Sequence, residues 1–348
     1  MDSAAGKAQD IKFLEEKLNS TKLPQDLYNK ILVYVERLSR LTTSQTYSQE
    51  FDAVSRYLDW VVSLPWETRS KDILSLENAQ KVLDKNHFGL ENIKQRILDY
   101  IAVLTLKSAK GQKVKAPAIL LLGLVGTGKT TIAYSIAETL GRQFGRIPMG
   151  GMGDALQLRG RSRSYPDAEP GQIMKVLKRV RTKNPLILLD EIDRVTDEAK
   201  ADIMGVLVEL LDPEQNANFL DHFIDYPFDL SEVFFIATAN NTKNIATAVL
   251  DRLDVVEMPT YSDEQKIIIG KNYLLPRALT AAGLSPSDLQ IEDAIWQQIV
   301  RPLGFDAGMR TLDRTINTIC QKIARLKIEG NTQKIVISTQ NLKQFLPA

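Results

Sequence analysis

Apolar residues near the start of the chain recur at helical spacing and predict a helical segment. One stripe predicts a helix that begins after Pro24, and its members are separated by three or four positions: Leu27, Ile31, Tyr34, Leu38 and Leu41. A second stripe, between residues 51 and 61, ends before Pro65, because proline restricts the residue that precedes it. Residues 11–60 are therefore predicted to be helical, with a linker to about residue 75.

Short, continuous apolar runs further along the chain predict strands that are buried on both faces. Residues 118–122 read AILLL, residues 186–189 read LILL and residues 233–237 read VFFIA. Two further short strands are expected at 145–149 and 255–258, which makes five. In parallel sheets the carboxyl ends of the strands form the edge that binds ligands, so the residues that follow each run are candidates for chemistry.

The C-terminal part of the chain is predicted to be mostly helical. A capping box formed by Ser262 and Gln265 predicts the start of its first helix. Another helix is expected over residues 292–300, and a long one with regularly spaced leucines and isoleucines ends at Gly330. A short strand at 334–337 and a final helical turn complete the pattern.

Composition limits the classes of protein to which the chain can belong. Its 348 residues are 44% hydrophobic and 25% charged, which is typical of a globular protein of two or three domains. No apolar run approaches the ~18 residues of a membrane span, so no membrane partner is predicted. The first ten residues lack the apolar core of a secretory signal, which indicates a cytoplasmic protein or a piece of a longer chain.

Charge and cysteine content narrow the choice further. The formal net charge of +1 produces no overall field that would attract nucleic acid, although local basic patches stay open. The single cysteine, Cys320, excludes an internal disulfide framework and is predicted to be a buried helix residue. With only His87 and His222, a histidine-rich metal site is not expected.

Residues 118–131 read AILLLGLVGTGKTT and contain the motif GxxxxGK[ST] between a predicted strand and a predicted helix. Glycines let the backbone approach phosphate closely, so that N–H groups and the positive end of the following helix can hold phosphate oxygens. The motif predicts that Lys129 reaches the β- and γ-phosphates of ATP and that Thr130 binds Mg²⁺. The predicted nucleotide-binding residues are Gly123, Gly126, Thr127, Gly128, Lys129, Thr130 and Thr131.

Two acids follow the strand predicted at 186–189, which is the Walker B pattern. Asp190 is predicted to hold Mg²⁺ through water, and Glu191 to orient and deprotonate the water that attacks the γ-phosphate. Asn240 follows the third apolar run, where its neutral amide could hydrogen-bond both the γ-phosphate and that water. A simple turn-forming role is the alternative for Asn240.

The combination of these motifs resembles an AAA+ ATPase, and it is similar in particular to the ATPase region of the Lon proteases. The resemblance covers the chain from about residue 20 onward and is carried by YLDWVVSLPWE (57–67), FGLENIKQRILDYIAVL (88–104), the phosphate loop, LILLDEID (186–193), LLDPEQNANFLDHFIDYPFDLSEVFFIATAN (210–240), LLPRAL (274–279) and GMRTLDR (308–314).

The resemblance implies a fold of the α/β plus all-α class. An AAA+ P-loop ATPase has a parallel five-stranded sheet flanked by helices, which here would be preceded by an N-terminal helical segment and followed by a C-terminal helical lid domain. The boundaries that we expect are 1–70 for the helical segment and linker, 71–260 for the nucleotide-binding domain and 261–348 for the lid.

The resemblance also implies roles that spacing alone does not assign. Asn240 stands at sensor 1, Arg252 resembles the arginine finger that reaches the ATP of a neighbouring subunit, and Arg310 resembles sensor 2. Arginine suits the last two roles because its permanently charged fork can contact phosphate oxygens as charge shifts in the transition state. Since Arg252 would act on a neighbouring subunit, the family implies a homo-oligomer in the form of a hexameric ring.

Two further positions resemble pore loops that grip an unfolded polypeptide substrate. Tyr165 occupies the aromatic position of the first pore loop, within residues 150–171, and Phe219 resembles the second pore-loop position. The family therefore implies an ATP-driven polypeptide unfoldase or translocase. Arg159, Arg161 and Arg163 lie in the same loop but lack interleaved aromatic residues, so they are weak evidence for nucleic acid.

The sequence departs from the family at several points. Leu124 and Val125 stand where two prolines are usual, and Pro166 and Asp167 follow Tyr165 where an aliphatic and a small residue are usual. ATP binding is expected to survive the first change, because backbone groups hold the phosphates, whereas substrate grip is less secure. The sequence ends at Ala348, before the Ser-Lys protease domain with which Lon continues, so no peptidase activity is expected of it.

Two other functions stay open at this point. Pro166 and Asp167 motivate a nucleotide-dependent switch or a DNA-associated AAA+ ATPase that does not translocate polypeptide. An inactive scaffold is disfavoured, because both Lys129 and Glu191 are present.

Overall fold

The structure is a computed structural model that describes residues 4–42, 44, 46–110, 115–301, 308–330 and 333–347. Within these residues the α-helices are α1 (Ala4–Asn19), α2 (Gln25–Arg40), α3 (Tyr47–Ser63), α4 (Leu76–Asn86), α5 (Glu91–Ser108), α6 (Lys129–Leu140), α7 (Leu156–Arg159), α8 (Gln172–Val180), α9 (Lys200–Leu211), α10 (Thr247–Leu250), α11 (Asp263–Ile269), α12 (Leu275–Ala281), α13 (Trp296–Val300), α14 (Arg310–Ile328) and α15 (Leu342–Phe345).

The strands within the same residues are β1 (Ile119–Leu122), β2 (Phe144–Pro148), β3 (Leu186–Asp190), β4 (Phe219–Asp221), β5 (Tyr226–Phe228), β6 (Phe234–Ala239), β7 (Asp254–Glu257), β8 (Leu289–Ile291) and β9 (Ile335–Ile337). None of the described helices is both long and apolar enough to cross a membrane.

Five strands form one parallel sheet with the order β2-β3-β6-β1-β7, which confirms the predicted α/β fold class. Strand β3 pairs with β2 through Leu188 and Arg146, and with β6 through Leu188 and Ile236. Every residue of β3 and β6 is buried, as expected for central strands covered on both faces. The continuous aliphatic and aromatic runs form these strands, because a strand that is covered on both faces buries every side chain.

The chain divides into two compact units. The first comprises Met1–Leu74, Ile101–Leu120 and Ala137–Val255, and the second comprises Ser75–Tyr100, Leu121–Ile136 and Val256–Ala348.

The N-terminal helices of the first unit pack on one another and on the segment around β4 and β5. Helix α2 begins after Pro24, as predicted, and buries the stripe that includes Leu27 and Ile31. Tyr57 on α3 is fully buried, and its hydroxyl donates a hydrogen bond of 3.0 Å to the Ile224 carbonyl oxygen. The Trp66 ring lies 5.0 Å from that of Phe228, so the tryptophan of the predicted linker is a packing residue.

The second unit contains a helical core around α13 and α14. Trp296, Ile316 and Cys320 are buried in this core, and burial raises the pKa of the Cys320 thiol to about 11. The predicted buried position of Cys320 is thereby confirmed. The capping box at Ser262 is present as well, because Ser262 and Gln265 satisfy each other's backbone N–H groups.

Of the four strands in two small sheets, the sequence pattern anticipated only β9, as the short strand at 334–337. Strands β4 and β5 form an antiparallel pair, and β8 pairs in parallel with β9. The strands that were missed, β4, β5 and β8, have three residues each, which is too short for alternation between apolar and polar positions to be recognised. Pairing partners that lie far apart in the sequence, such as Leu289 and Ile335, supply the missing hydrogen bonds.

Candidate functional site

The predicted phosphate loop joins β1 to α6 in the second unit. Gly126 and Gly128 have φ angles of +84° and +92°, in the left-handed region that side chains with a Cβ atom rarely adopt. Helix α6 begins at Lys129, so its first N–H groups lie at the end of the loop. This strand-loop-helix geometry is the one that phosphate binding by backbone groups requires.

Lys129 and the threonines of the motif surround the loop backbone. The Lys129 side chain is largely buried and donates hydrogen bonds to the carbonyl oxygens of Gly123 and Leu124, the latter at 3.0 Å. The Thr127 hydroxyl donates to the same Leu124 carbonyl at 3.0 Å. Thr130 is exposed, so its hydroxyl is accessible from solvent.

The side chains that depart from the family in this loop point outward. Leu124 is 49% exposed and Val125 is 39% exposed, whereas Thr131 donates a hydrogen bond of 2.7 Å to the Gly128 carbonyl within the loop. The replacement of prolines by Leu124 and Val125 therefore leaves the interior of the loop to backbone groups.

The start of α14 lies against the phosphate loop in the same unit. The Met309 N–H donates a hydrogen bond of 2.9 Å to the Gly126 carbonyl oxygen. Gly308 permits this approach, because a Cβ atom there would lie only 2.6 Å from the Val125 carbonyl oxygen. Arg310 follows at once and is exposed, with its Cγ atom 3.4 Å from the position of a Cβ atom on Gly126. The structure thus places Arg310 beside the phosphate loop, and contact of its guanidinium with phosphate oxygens stays a prediction.

His87 lies in the turn between α4 and α5, and its Nε2 atom is 2.9 Å from the Ser135 hydroxyl on α6. Burial, together with the positive charges of Lys94 and Arg277, lowers the pKa of His87 to about 4. His87 is therefore a neutral packing group beside α6 at pH 7.

In the first unit, the two acids of the Walker B pattern stand at the carboxyl end of β3. Both oxygens of Asp190 accept hydrogen bonds: Oδ1 from the Thr238 hydroxyl at 2.6 Å, and Oδ2 from Nε and Nη2 of Arg146 at 2.8 and 2.6 Å. Neither Thr238 nor Arg146 was singled out in the sequence. The side chain of Asp190 is only 9% exposed, so these partners satisfy a carboxylate that solvent hardly reaches.

Glu191 has an unusual backbone conformation. Its φ angle of +61° lies in the left-handed region, which is uncommon for residues other than glycine and is found at functional sites. Its N–H donates a hydrogen bond of 2.8 Å to the Thr238 hydroxyl, so Thr238 contacts both acids. The Glu191 carboxylate lies 3.5 Å from the guanidinium of Arg194, and a Cβ atom on Gly150 would lie 3.0 Å from Glu191 Oε2.

Asn240 stands at the end of β6, which is the neighbour of β3 in the sheet. Its N–H donates a hydrogen bond of 3.0 Å to Oδ2 of the buried Asp193, which also accepts from the Asn241 N–H at 3.3 Å. Asp193 therefore anchors the turn that carries Asn240, although the sequence pattern did not identify it. The structure brings Asp190, Glu191 and Asn240 together at one edge of the sheet.

Arg252 follows α10 and is held within its own chain. Its Nη1 atom donates a hydrogen bond of 2.8 Å to the Ala248 carbonyl, and its Nε atom lies 3.4 Å from Asp212 Oδ2. The pKa of Asp212 is lowered chiefly by a hydrogen bond from the Glu214 N–H, with Arg252 as a further cause. Arg252 was predicted to act on a neighbouring subunit, and here its side chain is oriented by Asp212.

The first predicted pore loop presents its aromatic residue to solvent. Tyr165 is 58% exposed, and the guanidinium of Arg161 lies 6.0 Å from the centre of its ring. Arg161 also forms an ion pair with Asp167, so the unusual acid after Tyr165 has a counter-ion in the same loop.

The structure contradicts the predicted substrate contact of Phe219. Its side chain is fully buried in β4, with the guanidinium of Arg159 5.9 Å from its ring. The neighbouring Leu220 is 38% exposed. Successive side chains along a strand lie on opposite faces, so Phe219 shares the buried face of β4 with Asp221, and Leu220 lies on the other face.

The residues present suit ATP and Mg²⁺. The glycine conformations leave backbone N–H groups for phosphate, and Asp190 already holds a cation, the guanidinium of Arg146. Mg²⁺ at nucleotide sites takes one or two protein oxygens together with phosphate oxygens. The Thr130 hydroxyl in the second unit and the Asp190 carboxylate in the first unit are each oxygen donors of this kind. Among the described residues there is no cluster of three or more His, Cys, Asp and Glu side chains that could hold a metal ion without phosphate.

Comparison with protein families identifies two domains. Residues 119–260 match the model of the ATPase family associated with various cellular activities (AAA), and residues 280–336 match the model of the Lon protease AAA+ ATPase lid domain.

Curated relatives match almost the whole chain. It is 40% identical over 338 residues to the Lon protease of Lawsonia intracellularis, a match that covers 97% of this chain and 40% of that protein. It is 37% identical over 341 residues to the Lon protease of Bacillus thuringiensis, with coverage of 98% and 42%. For the Lon protease of Clostridioides difficile the identity is 40% over 332 residues, with coverage of 95% and 41%. The chain thus spans about 40% of the length of these relatives.

Proposed function

We propose, for a chain that carries an AAA ATPase domain followed by the lid domain of the Lon proteases, that it hydrolyses ATP to unfold and translocate polypeptides. The observation that carries the hydrolytic part is the arrangement at the carboxyl edge of β3 and β6. There Asp190, Glu191 and Asn240 meet, and the Thr238 hydroxyl connects the two acids.

In this mechanism each residue has a separate task. The phosphate loop would bind the phosphates through backbone N–H groups and Lys129, while Thr130 would hold Mg²⁺ directly and Asp190 would hold it through water. When bound, Mg²⁺ neutralises charge on the phosphates. Glu191 accepts the proton of the attacking water, and Asn240 orients that water by hydrogen bonding. The left-handed backbone at Glu191 is consistent with a side chain held in a special position for this purpose.

A first experiment tests hydrolysis separately from binding. Glu191→Gln should bind a fluorescent ATP analogue with little change and lower kcat by about 10²–10⁴-fold, because the amide cannot take the proton. Lys129→Ala should instead weaken binding of the analogue. An unchanged kcat in Glu191→Gln would refute the assignment of the base, and unchanged binding in Lys129→Ala would refute that of the phosphate loop.

We further propose that the active form is a ring of several copies, by analogy with the family a hexamer, in which Arg252 completes the neighbouring site. Its present contacts with Asp212 and Ala248 would then pre-orient the guanidinium. A mass measurement in ATP and Mg²⁺ tests assembly, with a larger mass expected than in nucleotide-free buffer.

Mixing two inactive variants tests the action of Arg252 on a neighbour. Arg252→Ala and Glu191→Gln subunits should each be nearly inactive alone. A mixture should regain ATPase activity, because some sites combine an intact Glu191 with an intact Arg252 from the adjacent copy. If assembled mixtures gain no activity, Arg252 does not act between subunits.

Polypeptide translocation rests on the exposed ring of Tyr165. Tyr165→Ala should abolish ATP-driven unfolding of a tagged substrate, whereas the matched variant Tyr165→Phe, which keeps the ring, should retain it. Equal unfolding by wild type and Tyr165→Ala would favour the alternative, a nucleotide-dependent switch or DNA-associated ATPase. The ion pair of Asp167 with Arg161 weakens the motive for that alternative, because the acid is compensated within the loop.

Some expectations stay predictions. The boundaries at residues 70 and 260, the arginine roles and a cytoplasmic location belong to this group. The activities of complete Lon proteases are likewise proposals for this chain, which spans only part of their length.

A further inference from the structure

The ion pair between Arg146 and Asp190 is a candidate for control of metal binding. Arg146 lies on β2 opposite Leu188 of β3, and Asp190 lies two residues further along β3. Because side chains alternate along a strand, Arg146 and Asp190 share one face of the sheet at a diagonal separation that an arginine can span. The guanidinium reaches Asp190 Oδ2 with two hydrogen bonds of 2.6 and 2.8 Å.

This pair uses much of the capacity of the carboxylate to accept hydrogen bonds. A carboxylate oxygen has two lone-pair sites. Both sites of Oδ2 face Arg146, and Oδ1 accepts a bond of 2.6 Å from Thr238. One site on Oδ1 remains for any further donor, such as a water molecule bound to Mg²⁺. Arg146 therefore competes with the metal for the same buried acid, both by hydrogen bonding and by charge.

The two members of the pair differ in their freedom to move. The Arg146 side chain is 53% exposed, whereas that of Asp190 is 9% exposed and is held on its other oxygen by Thr238. A guanidinium that leaves the pair enters water, where it is well solvated, but the carboxylate has no comparable alternative. The mobile partner is therefore the arginine.

We propose that Arg146 is a positioning residue that pairs with Asp190 in the absence of nucleotide, and that Mg²⁺ arriving with ATP displaces it. The pair keeps the buried acid compensated and oriented when the metal is absent, and it raises the Mg²⁺ concentration that nucleotide binding requires. This inference rests on the proposed ATP site.

The test measures binding rather than turnover. Affinity for a fluorescent ATP analogue is determined in EDTA and then across a Mg²⁺ titration, for wild type and for Arg146→Met, which keeps an unbranched apolar stem and removes the guanidinium charge. Arg146→Met should lower the half-saturating Mg²⁺ concentration by about two- to fivefold, the range expected for loss of a partly exposed ion pair. Affinity in EDTA should change little, because Arg146 does not belong to the phosphate loop.

Three further variants identify the cause. Arg146→Lys keeps the charge without the two-pronged contact and should lie between wild type and Arg146→Met. Arg179→Met, at an exposed position of α8, removes the same charge elsewhere and should have no effect. In an Asp190→Asn background, Arg146→Met should no longer change the Mg²⁺ requirement, because the coupled partner is gone.

The outcomes separate this inference from the proposed function. If wild type does not bind the analogue with or without Mg²⁺, the ATP site itself is refuted. If wild type binds it in a Mg²⁺-dependent manner and Arg146→Met shows an equal or higher Mg²⁺ requirement, the competition is refuted while the ATP site stands. If Arg179→Met lowered the Mg²⁺ requirement as much as Arg146→Met, the effect would come from the net charge of the protein, and the inference would be overturned.

Discussion

Asp221 should make the stability of the protein depend on pH in a way that one substitution removes. This residue of β4 is fully buried, and its carboxylate accepts three backbone hydrogen bonds: from Gly171 at 2.8 Å, Phe223 at 2.9 Å and Ile224 at 3.0 Å. It thereby ties the end of the first predicted pore loop to the turn after β4. Gly160 approaches the same carboxylate, since a Cβ atom there would lie 2.9 Å from its oxygens.

Burial determines the direction of the pKa shift. It raises the pKa of Asp221 from 3.8 to about 6, against the opposing effects of the three N–H groups and of Lys175. The native state therefore holds the proton more tightly than the unfolded chain. The contribution of Asp221 to the free energy of unfolding is largest below pH 4, falls as the pH rises to about 6 and stays low at higher pH. At 1.36 kcal/mol per pKa unit, the loss across this window is about 3 kcal/mol.

Urea unfolding of wild type and Asp221→Asn between pH 4 and pH 7 measures this effect. The amide can still accept from Phe223 and Ile224, but its NH₂ group would face the Gly171 N–H, so a loss of about 1–3 kcal/mol is expected for the unsatisfied donors. The difference between the two proteins isolates Asp221 from other titrating groups. The difference in the free energy of unfolding between wild type and Asp221→Asn should shrink as the pH rises from 4 to 6. Parallel pH profiles would refute the reasoning.

Three further predictions concern contacts within the first unit and are measured by urea unfolding. Asp72 accepts two hydrogen bonds of 2.8 Å from the buried guanidinium of Arg142. Asp72→Ala removes this counter-ion and should destabilise the protein by about 3 kcal/mol, so a change below about 1 kcal/mol would contradict the prediction. Tyr57→Phe should cost about 1 kcal/mol through loss of the bond to Ile224, and a gain in stability would oppose it. Gly171→Ala should severely destabilise the protein or prevent folding, since its Cβ atom would lie 1.9 Å from the Leu158 carbonyl oxygen. The control Gly205→Ala in α9, whose Cβ atom would meet nothing within 4 Å, should stabilise by about 0.5–1 kcal/mol, and equal effects of the two substitutions would contradict the prediction.

Much of the sheet and its loops could be predicted locally. The run at 186–189 became the buried strand β3 because four aliphatic residues are stable only where both faces are covered. Gly126 and Gly128 adopt the left-handed conformations that the phosphate-loop motif anticipates, and the Ser262 capping box forms among residues three positions apart. Each of these features depends on neighbours in the sequence, so periodicity and residue type sufficed.

The partners of the predicted acids could not be predicted in this way. Arg146 is an arginine near the end of a strand, and only the register of β2 against β3 places it on the face of Asp190. Thr238 and Asp193 act through hydrogen bonds across 47 or 48 positions of sequence. The local signal for such a partner is a polar residue within an apolar strand, as Thr238 is within β6.

The sequence by itself determined the chemistry that this protein can perform, because the phosphate-loop motif, the paired acids and the family resemblance are local patterns of residue type and spacing. Tertiary structure decided which of those residues are accessible and what holds them. It buried Phe219, exposed Tyr165 and set Arg146 on Asp190. The physical reason is that burial and ion pairing depend on contacts between distant segments, whose register and packing no local pattern contains.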